Sequence, residues 1–292
     1  MGVPGKIKIH SILLFVTLLF GANYTVAKVA MPEYIEPFGF ILLRISSVTL
    51  LFWLYGKTSA SDPIKSRRDF GLLLLCALFG VAINQTLFFK GLSLTNPING
   101  SVIMTTSPIM VMLVAYLLGK ESITIKKVIG VLVGGTGAYL LLSKSGFSIN
   151  NETFIGDLLI LINGASYAVY LAIVKPLMAK YRAITVIKWI FLLGGIMTLP
   201  FGSAQLAQVE WSVLPPIVWF SIIFIVVATF LSYLLNVWAL KFVNSSVVGS
   251  YIYLQPVFAT FIAVTFRDDQ LHLSTVVYSL IIMFGVYLVS QK

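Results

Sequence analysis

The chain has 292 residues, of which 59% are hydrophobic and only 10% charged, with 20 Lys and Arg against 10 Asp and Glu. A water-soluble domain carries about 25% charged residues, so this composition excludes a soluble enzyme, a disordered chain, a collagen and a coiled coil. A single cysteine, Cys76, excludes an internal disulfide framework, and two histidines, His10 and His272, do not make a multi-histidine zinc site. No metal and no cofactor is expected.

A helix crosses a hydrocarbon layer of about 30 Å with about 20 mostly apolar residues, and it pairs its own backbone polar groups on the way. Ten apolar stretches fit. The first, 10–30, follows Lys6 and Lys8 and resembles a signal peptide in outline. It continues through Gly21-Ala22-Asn23-Tyr24 with no convincing small-x-small cleavage site, so it reads as an uncleaved span. Next come 37–55, 69–90, 98–118 and 126–143. The second half holds 155–174, 184–200, 214–239, 246–266 and 273–291. Residues 211–240 and 242–266 contain no Asp, Glu, Lys or Arg. The fifth stretch, framed by Lys127 and Lys144, also fits a tight hairpin with the fourth, which leaves a count of nine open.

Basic residues collect in cytoplasmic loops. With ten spans and the N-terminus inside, 14 of the 20 basic residues fall inside, and the segment 56–68 is the clearest cytoplasmic marker. Acidic residues lean the other way, as with Glu33, Glu36, Glu152, Asp157, Glu210, Asp268 and Asp269. Both termini are therefore expected in the cytoplasm. A surplus of ten positive charges distributed like this belongs to a lipid bilayer, and no nucleic acid is expected as a partner.

The two halves echo each other. At a spacing of 148, Pro108 meets Pro256, Asn96 meets Asn244, and Gly137-Ala138-Tyr139-Leu140 meets Gly285-Val286-Tyr287-Leu288. At a spacing of 143, Gly21-Ala22-Asn23-Tyr24 meets Gly164-Ala165-Ser166-Tyr167. Residues 1–146 and 147–292 thus read as two five-helix repeats. Five is odd, so the halves cross in opposite senses, an architecture recurrent in secondary transporters with a substrate site near the midplane. The expected fold is an all-α membrane protein of ten transmembrane helices in two inverted repeats.

Polar groups in hydrocarbon are costly unless partnered, so they mark candidate pathways. Asn23 and Tyr24 stand on the first span, Asn84, Gln85 and Phe88 on the third, Ser101 and Thr105 on the fourth. Asn163, Ser166, Tyr167 and Tyr170 share one face of the sixth by their three/four spacing. Tyr233 and Asn236 stand on the eighth span, Tyr251 and Gln255 on the ninth. Amides, hydroxyls and aromatic rings of this kind suit a small amphipathic or zwitterionic solute. Each has a plainer reading: hydroxyls bond their own backbone or join helices, and terminal aromatics anchor at interfaces. Pro108 and Pro256 interrupt their helices and are hinge candidates. Arg44 and Lys188 are the charge candidates, with snorkelling to an interface as the alternative. Gly134, Gly135 and Gly137 form a small-residue face for helix packing.

Several stretches resemble the EamA group of the drug/metabolite transporter superfamily. They are Leu19-Phe20-Gly21-Ala22-Asn23-Tyr24, Arg44 after Phe40-Ile41-Leu42-Leu43, Phe88-Phe89-Lys90-Gly91-Leu92, and Thr106-Ser107-Pro108 with Leu118-Gly119-Lys120-Glu121. Gly130 and Gly137 fit the fifth span, and Trp238-Ala239-Leu240, Gln255-Pro256 and Gly285 echo the pattern in the second half. Arg267-Asp268-Asp269 departs from the second Gly-Glu turn. The resemblance implies two inverted five-helix repeats and small-metabolite transport, usually export, across the bacterial inner membrane. The reading is therefore a transporter, not an enzyme, exporting an amino acid or similar amphipathic solute as a monomer or weak homodimer. A multidrug or other-metabolite permease is the alternative, with a channel or an intramembrane lipid-modifying enzyme behind it. No His-Glu-x-x-His and no phosphate-binding Gly-Lys-Ser/Thr loop is present.

Overall fold

The computed structural model describes residues 5–58, 61–95, 100, 103–143, 153–255, 257–258 and 273–291. The described chain is all-helical. Helix α1 is Lys6–Ala30, α2 is Pro37–Thr58, and α3 is Arg67–Leu94 with a π-helical turn at Leu78–Ala82. Helices α4 (Ser107–Leu117) and α5 (Ile125–Ser143) follow. In the second half come α6 (Phe154–Lys180), α7 (Ala183–Ala207) and α8 (Pro216–Ala239). Helix α9 (Ser245–Ser250) passes into a 3-10 turn at Tyr251–Leu254, and α10 is Leu273–Ser290. Among the described residues, α1, α2, α3, α6, α7 and α8 are long and apolar enough to cross a membrane.

Two of these helices outrun their expected ends. Helix α6 continues through Pro176 to Lys180, and α7 through Pro200 to Ala207. Proline removes one donor, and inside a membrane bundle neighbouring groups make up the loss. Helix α4, by contrast, has a built stop. Gly119 adopts φ +63°, Lys120 N–H donates to Ala115 O at 2.8 Å, and Gly119 N–H to Tyr116 O at 2.8 Å. This is the paired closure that a left-handed residue makes possible, and glycine takes that conformation without strain.

Helix α8 shows how the sequence chooses its faces. Ser221, Ile225, Ala228, Thr229 and Ser232 are buried at helical spacing, while Ile217, Phe220, Ile223 and Val227 are exposed. The hydroxyls of Ser221, Thr229 and Ser232 point inward and the exposed face is apolar, as expected where the solvent is lipid. Helix α8 packs on α1, α2 on α7, α3 on α6, α4 on α6 and α9, and α5 on α10. Close approach is bought with glycine: a Cβ on Gly91 of α3 would lie 2.8 Å from Gly156 O of α6, and one on Gly130 of α5 would lie 2.8 Å from Gly285 O of α10. Gly134 and Gly135 leave room for the Tyr253 ring, whose hydroxyl donates to Val131 O at 3.1 Å.

One end of the bundle is laced by polar bonds. Asp69 at the start of α3 accepts from Lys180 Nζ at 2.7 Å and Tyr181 OH at 2.8 Å. Asp62 accepts from Arg182 N at 2.7 Å, and Lys175 Nζ donates to Asn244 Oδ1 at 2.6 Å. Glu121, in the loop after α4, pairs with Lys127 Nζ at 2.9 Å and accepts from Ser246 Oγ at 2.5 Å and Ser246 N at 3.3 Å. Burial pushes the Glu121 carboxyl up, but the bonds from Ser246 and Lys127 together with the Lys127 charge outweigh it and hold it below its ordinary value.

A carboxyl whose folded-state pKa is depressed stabilises the fold above its unfolded value, about 4.3 for Glu, and that stability is lost as pH falls through the lowered value. Glu121→Gln is therefore expected to lower the thermal unfolding midpoint in detergent at neutral pH, with the gap from wild type closing below about pH 4. A gap independent of pH would remove the ion pair from this role.

Candidate functional site

Residues from both halves of the sequence line a cavity of about 80 Å³. It is lined from seven segments: Phe20 and Asn23 of α1, Arg44 of α2, Asn84, Gln85, Phe88 and Phe89 of α3, Met104 before α4, Asn163 and Tyr167 of α6, Tyr233 of α8, and Ile252 and Gln255 beyond α9. The π-turn of α3 sits immediately before Asn84 and Gln85, and such turns are frequent at functional sites. Two of its carbonyls are taken by other helices: Ser166 Oγ of α6 donates to Phe79 O at 2.5 Å, and Tyr233 OH of α8 donates to Gly80 O at 3.2 Å. A Cβ on Gly80 would overlap the Tyr170 ring, so glycine there lets α6 close on the turn.

The amides form a cross-linked wall. Asn163 Nδ2 donates to Asn84 O at 2.7 Å, and Asn84 Nδ2 donates back to Asn163 O at 3.4 Å. Gln85 Nε2 donates to Tyr233 OH and, at 3.3 Å, to Asn84 Oδ1. Asn236 Nδ2 donates to Tyr167 OH at 3.0 Å. Two amide oxygens on the cavity wall, Asn23 Oδ1 and Asn163 Oδ1, are buried with no hydrogen-bond partner among the described residues. A buried acceptor left unpaired costs about 1–3 kcal/mol, so each is a standing site for a donor.

Arg44 is the eighth residue of the 22-residue helix α2, about 10 Å from its start, and it is 4% exposed. Arg44 Nε donates to Thr229 Oγ1 at 2.6 Å, while Thr229 turns its own hydroxyl hydrogen to Ile225 O at 2.6 Å. The guanidinium carbon stands 4.7 Å from the centre of the Phe89 ring. A charge at mid-helix costs about 2.5–3.5 kcal/mol on insertion scales. The charged hydrogen bond, about 1.5–3 kcal/mol, and the ring face, about 2 kcal/mol when desolvated, hold it there. Among the described residues no carboxylate pairs with it.

The sequence-predicted residues divide. Asn23, Asn84, Gln85, Phe88, Asn163, Tyr167, Tyr233, Gln255 and Arg44 line the cavity. Ser166 and Tyr170 instead join α6 to α3, and Asn236 stands behind the wall on Tyr167. Thr105 lies on the turn before α4, next to Met104, and is not among the lining residues. Tyr251 faces a second, open groove shared with Lys6, Lys241 and Gln291, where its hydroxyl lies 2.6 Å from His10 Nδ1. Lys188 reaches the helix end, donating to Ser61 Oγ at 3.0 Å over the Trp53 ring. Pro108 stands in the first turn of α4, just after the break at Thr105 and Thr106. Ser101, Pro256 and the Tyr24 side chain lie outside the described residues. Phe20, Met104 and Ile252 were not anticipated as wall residues. Phe20 is three residues before Asn23 and shares its face, whereas Met104 and Ile252 carry no signal in so apolar a chain.

Membrane-length helices with apolar outer faces around a polar and aromatic chamber define a multi-pass membrane protein. The family model of the EamA-like transporter family matches residues 7–143 and again 154–291, so the chain belongs to that family and is a membrane transporter of small solutes. It is 27% identical to an uncharacterized transporter of Archaeoglobus fulgidus over 98% of each chain. It is 23% identical to the uncharacterized transporter YyaM of Bacillus subtilis, over 86% of this chain and 83% of that one. A solved crystal structure, 17% identical, superposes with a TM-score of 0.71 over 94% of this chain and 97% of that chain, which shows the fold.

Proposed function

We propose that the chain is a secondary transporter that exports an amino acid or similar amphipathic solute across the cell inner membrane by alternating access. The observation that carries this reading is the chamber itself, walled by amides, aromatic rings and one cation drawn from both halves.

The transporter is read as ten spans in two inverted repeats, 1–146 and 147–292. The helix pairing supports it. Exchanging each helix of the first half with its counterpart five places on turns the α1–α8 contact into the α6–α3 contact, and returns α2–α7, α4–α9 and α5–α10 to themselves. A pseudo-two-fold arrangement has this property, and the family model's double match agrees with it. Gln85 and Tyr233, bonded to each other, are 148 residues apart, the same spacing that relates Pro108 to Pro256. Cytoplasmic termini are supported by the grouping of Lys6, Lys241 and Gln291 around one groove, at the end where Lys180, Arg182 and Lys127 also lie. Pro108, following the break before α4, is the proposed hinge in the first half, with Pro256 as its counterpart.

Counterflow into vesicles preloaded with unlabelled solute tests the reading, because a transporter exchanges label with saturation. Asn84→Ala and Tyr167→Ala are each expected to reduce exchange about tenfold or more while the protein stays monodisperse. Normal exchange by both variants removes this chamber as the pathway.

A further inference from the structure

The proposed transport leaves open what part of the solute each wall receives. Three groups on the wall are unsatisfied in a way that specifies chemistry. Arg44 is buried, cationic, and without a carboxylate among the described residues. Asn23 Oδ1 and Asn163 Oδ1 are buried acceptors with no donor among the described residues. Around them stand the rings of Phe20, Phe88 and Phe89.

We propose that Arg44 is the receptor for a carboxylate on the solute, and that Asn23 and Asn163 receive its ammonium group, so that the site takes zwitterions with an apolar side chain. This rests on the transport reading above.

The geometry at Arg44 supports a built receptor. Thr229 takes only Nε, and its own hydroxyl hydrogen is committed to Ile225 O. The guanidinium carbon stands 4.7 Å from the centre of the Phe89 ring, and Arg44 is part of the cavity wall. Among the described residues Nε is the only Arg44 nitrogen with a hydrogen-bond acceptor, and a planar fork matches two carboxylate oxygens where a lysine offers only a point charge. The amide oxygens of Asn23 and Asn163, on the wall of the same cavity, accept but do not donate. Asn163 Nδ2 is held by Asn84 O, which fixes its oxygen as the free group. A zwitterion pairs its carboxylate with Arg44, gives its ammonium hydrogens to neutral acceptors and adds no net charge to a chamber in lipid. A decarboxylated amine would bring a second cation beside Arg44, and an N-acetyl acid would lose the ammonium.

Ligand binding to the purified full chain in detergent, read by the thermal unfolding midpoint, tests this apart from transport. The probes are leucine, methionine and phenylalanine, each beside its decarboxylated amine and its N-acetyl derivative. At least one amino acid is expected to raise the midpoint, with its amine and N-acetyl forms binding about tenfold more weakly or not at all. Arg44→Gln should abolish that shift, and Arg44→Lys should retain a weaker one. Where Arg44→Gln does not fold, Thr229→Val decides, since loss of the Nε acceptor should weaken the amino acid and leave the amine unchanged. Binding of amines as strong as that of amino acids, no response to any amino acid, or full binding by Arg44→Gln overturns the proposal. An amino acid that binds through Arg44 but shows no counterflow keeps this site and removes the transport reading. Counterflow of a solute without a carboxylate, insensitive to Arg44, does the reverse.

Discussion

Gly285→Ala is expected to destabilise the fold by about 1–3 kcal/mol, although alanine is the better helix former by about 1 kcal/mol. A Cβ at Gly285 would lie 2.5 Å from Gly134 Cα and 2.7 Å from Gly130 O. Both are backbone atoms, so no rotamer can relieve the clash and α5 must retreat from α10. The retreat also loosens Tyr253, whose ring fills the space at Gly134. Gly71 is the control, because a Cβ there meets nothing within 4 Å. Gly71→Ala should therefore stabilise slightly, and the two substitutions should shift the thermal midpoint in opposite directions. Shifts of the same sign would mean that α5 and α10 do not approach this closely.

Tyr233→Phe is expected to lower stability by about 1–3 kcal/mol and solute exchange with it. The phenyl ring keeps its contacts with Phe191, 4.8 Å between ring centres, and with Phe20 at 6.3 Å. Only the hydroxyl is lost. With it go the bond to Gly80 O and the acceptor for Gln85 Nε2, leaving a buried carbonyl on the π-turn and a weakened amide wall. Counterflow and unfolding measured on the same preparation would check both halves of the expectation. Unchanged values in both would show that the hydroxyl is replaced by water at no cost.

The long helices were readable because hydrocarbon demands unbroken apolar runs, and charge-free stretches such as 211–240 meet that demand without ambiguity. Their ends were less so. The apolar stretches ended at 174 and 200, yet α6 and α7 run on through Pro176 and Pro200, since proline's local penalty is small against the need to stay helical in lipid. Amides were the most informative site markers. Asn23, Asn84 and Asn163 line the chamber because a carboxamide cannot satisfy both its donor and its acceptor on its own helix. Hydroxyls misled: Ser166 found a backbone carbonyl on the neighbouring helix and left the wall. The depth of Arg44 was visible from the chain, whereas Thr229, its acceptor 185 residues away, was not.

The five-residue turn at Leu78–Ala82 bears on which mutations this gene tolerates. In a regular α-helix each residue advances the rotation by about 100°, and a π-turn accommodates one residue more than the regular coil. Removing a single codon there would let the coil become regular while everything beyond it, Asn84, Gln85 and Phe88 included, keeps its present facing, whereas the same loss in a regular stretch of α3 would swing those side chains by about that angle toward other neighbours. What such a loss would remove is the turn's spare carbonyls, which now accept from Ser166 and Tyr233, so the shortened helix is expected to keep the facing of its amides and to give up their two braces.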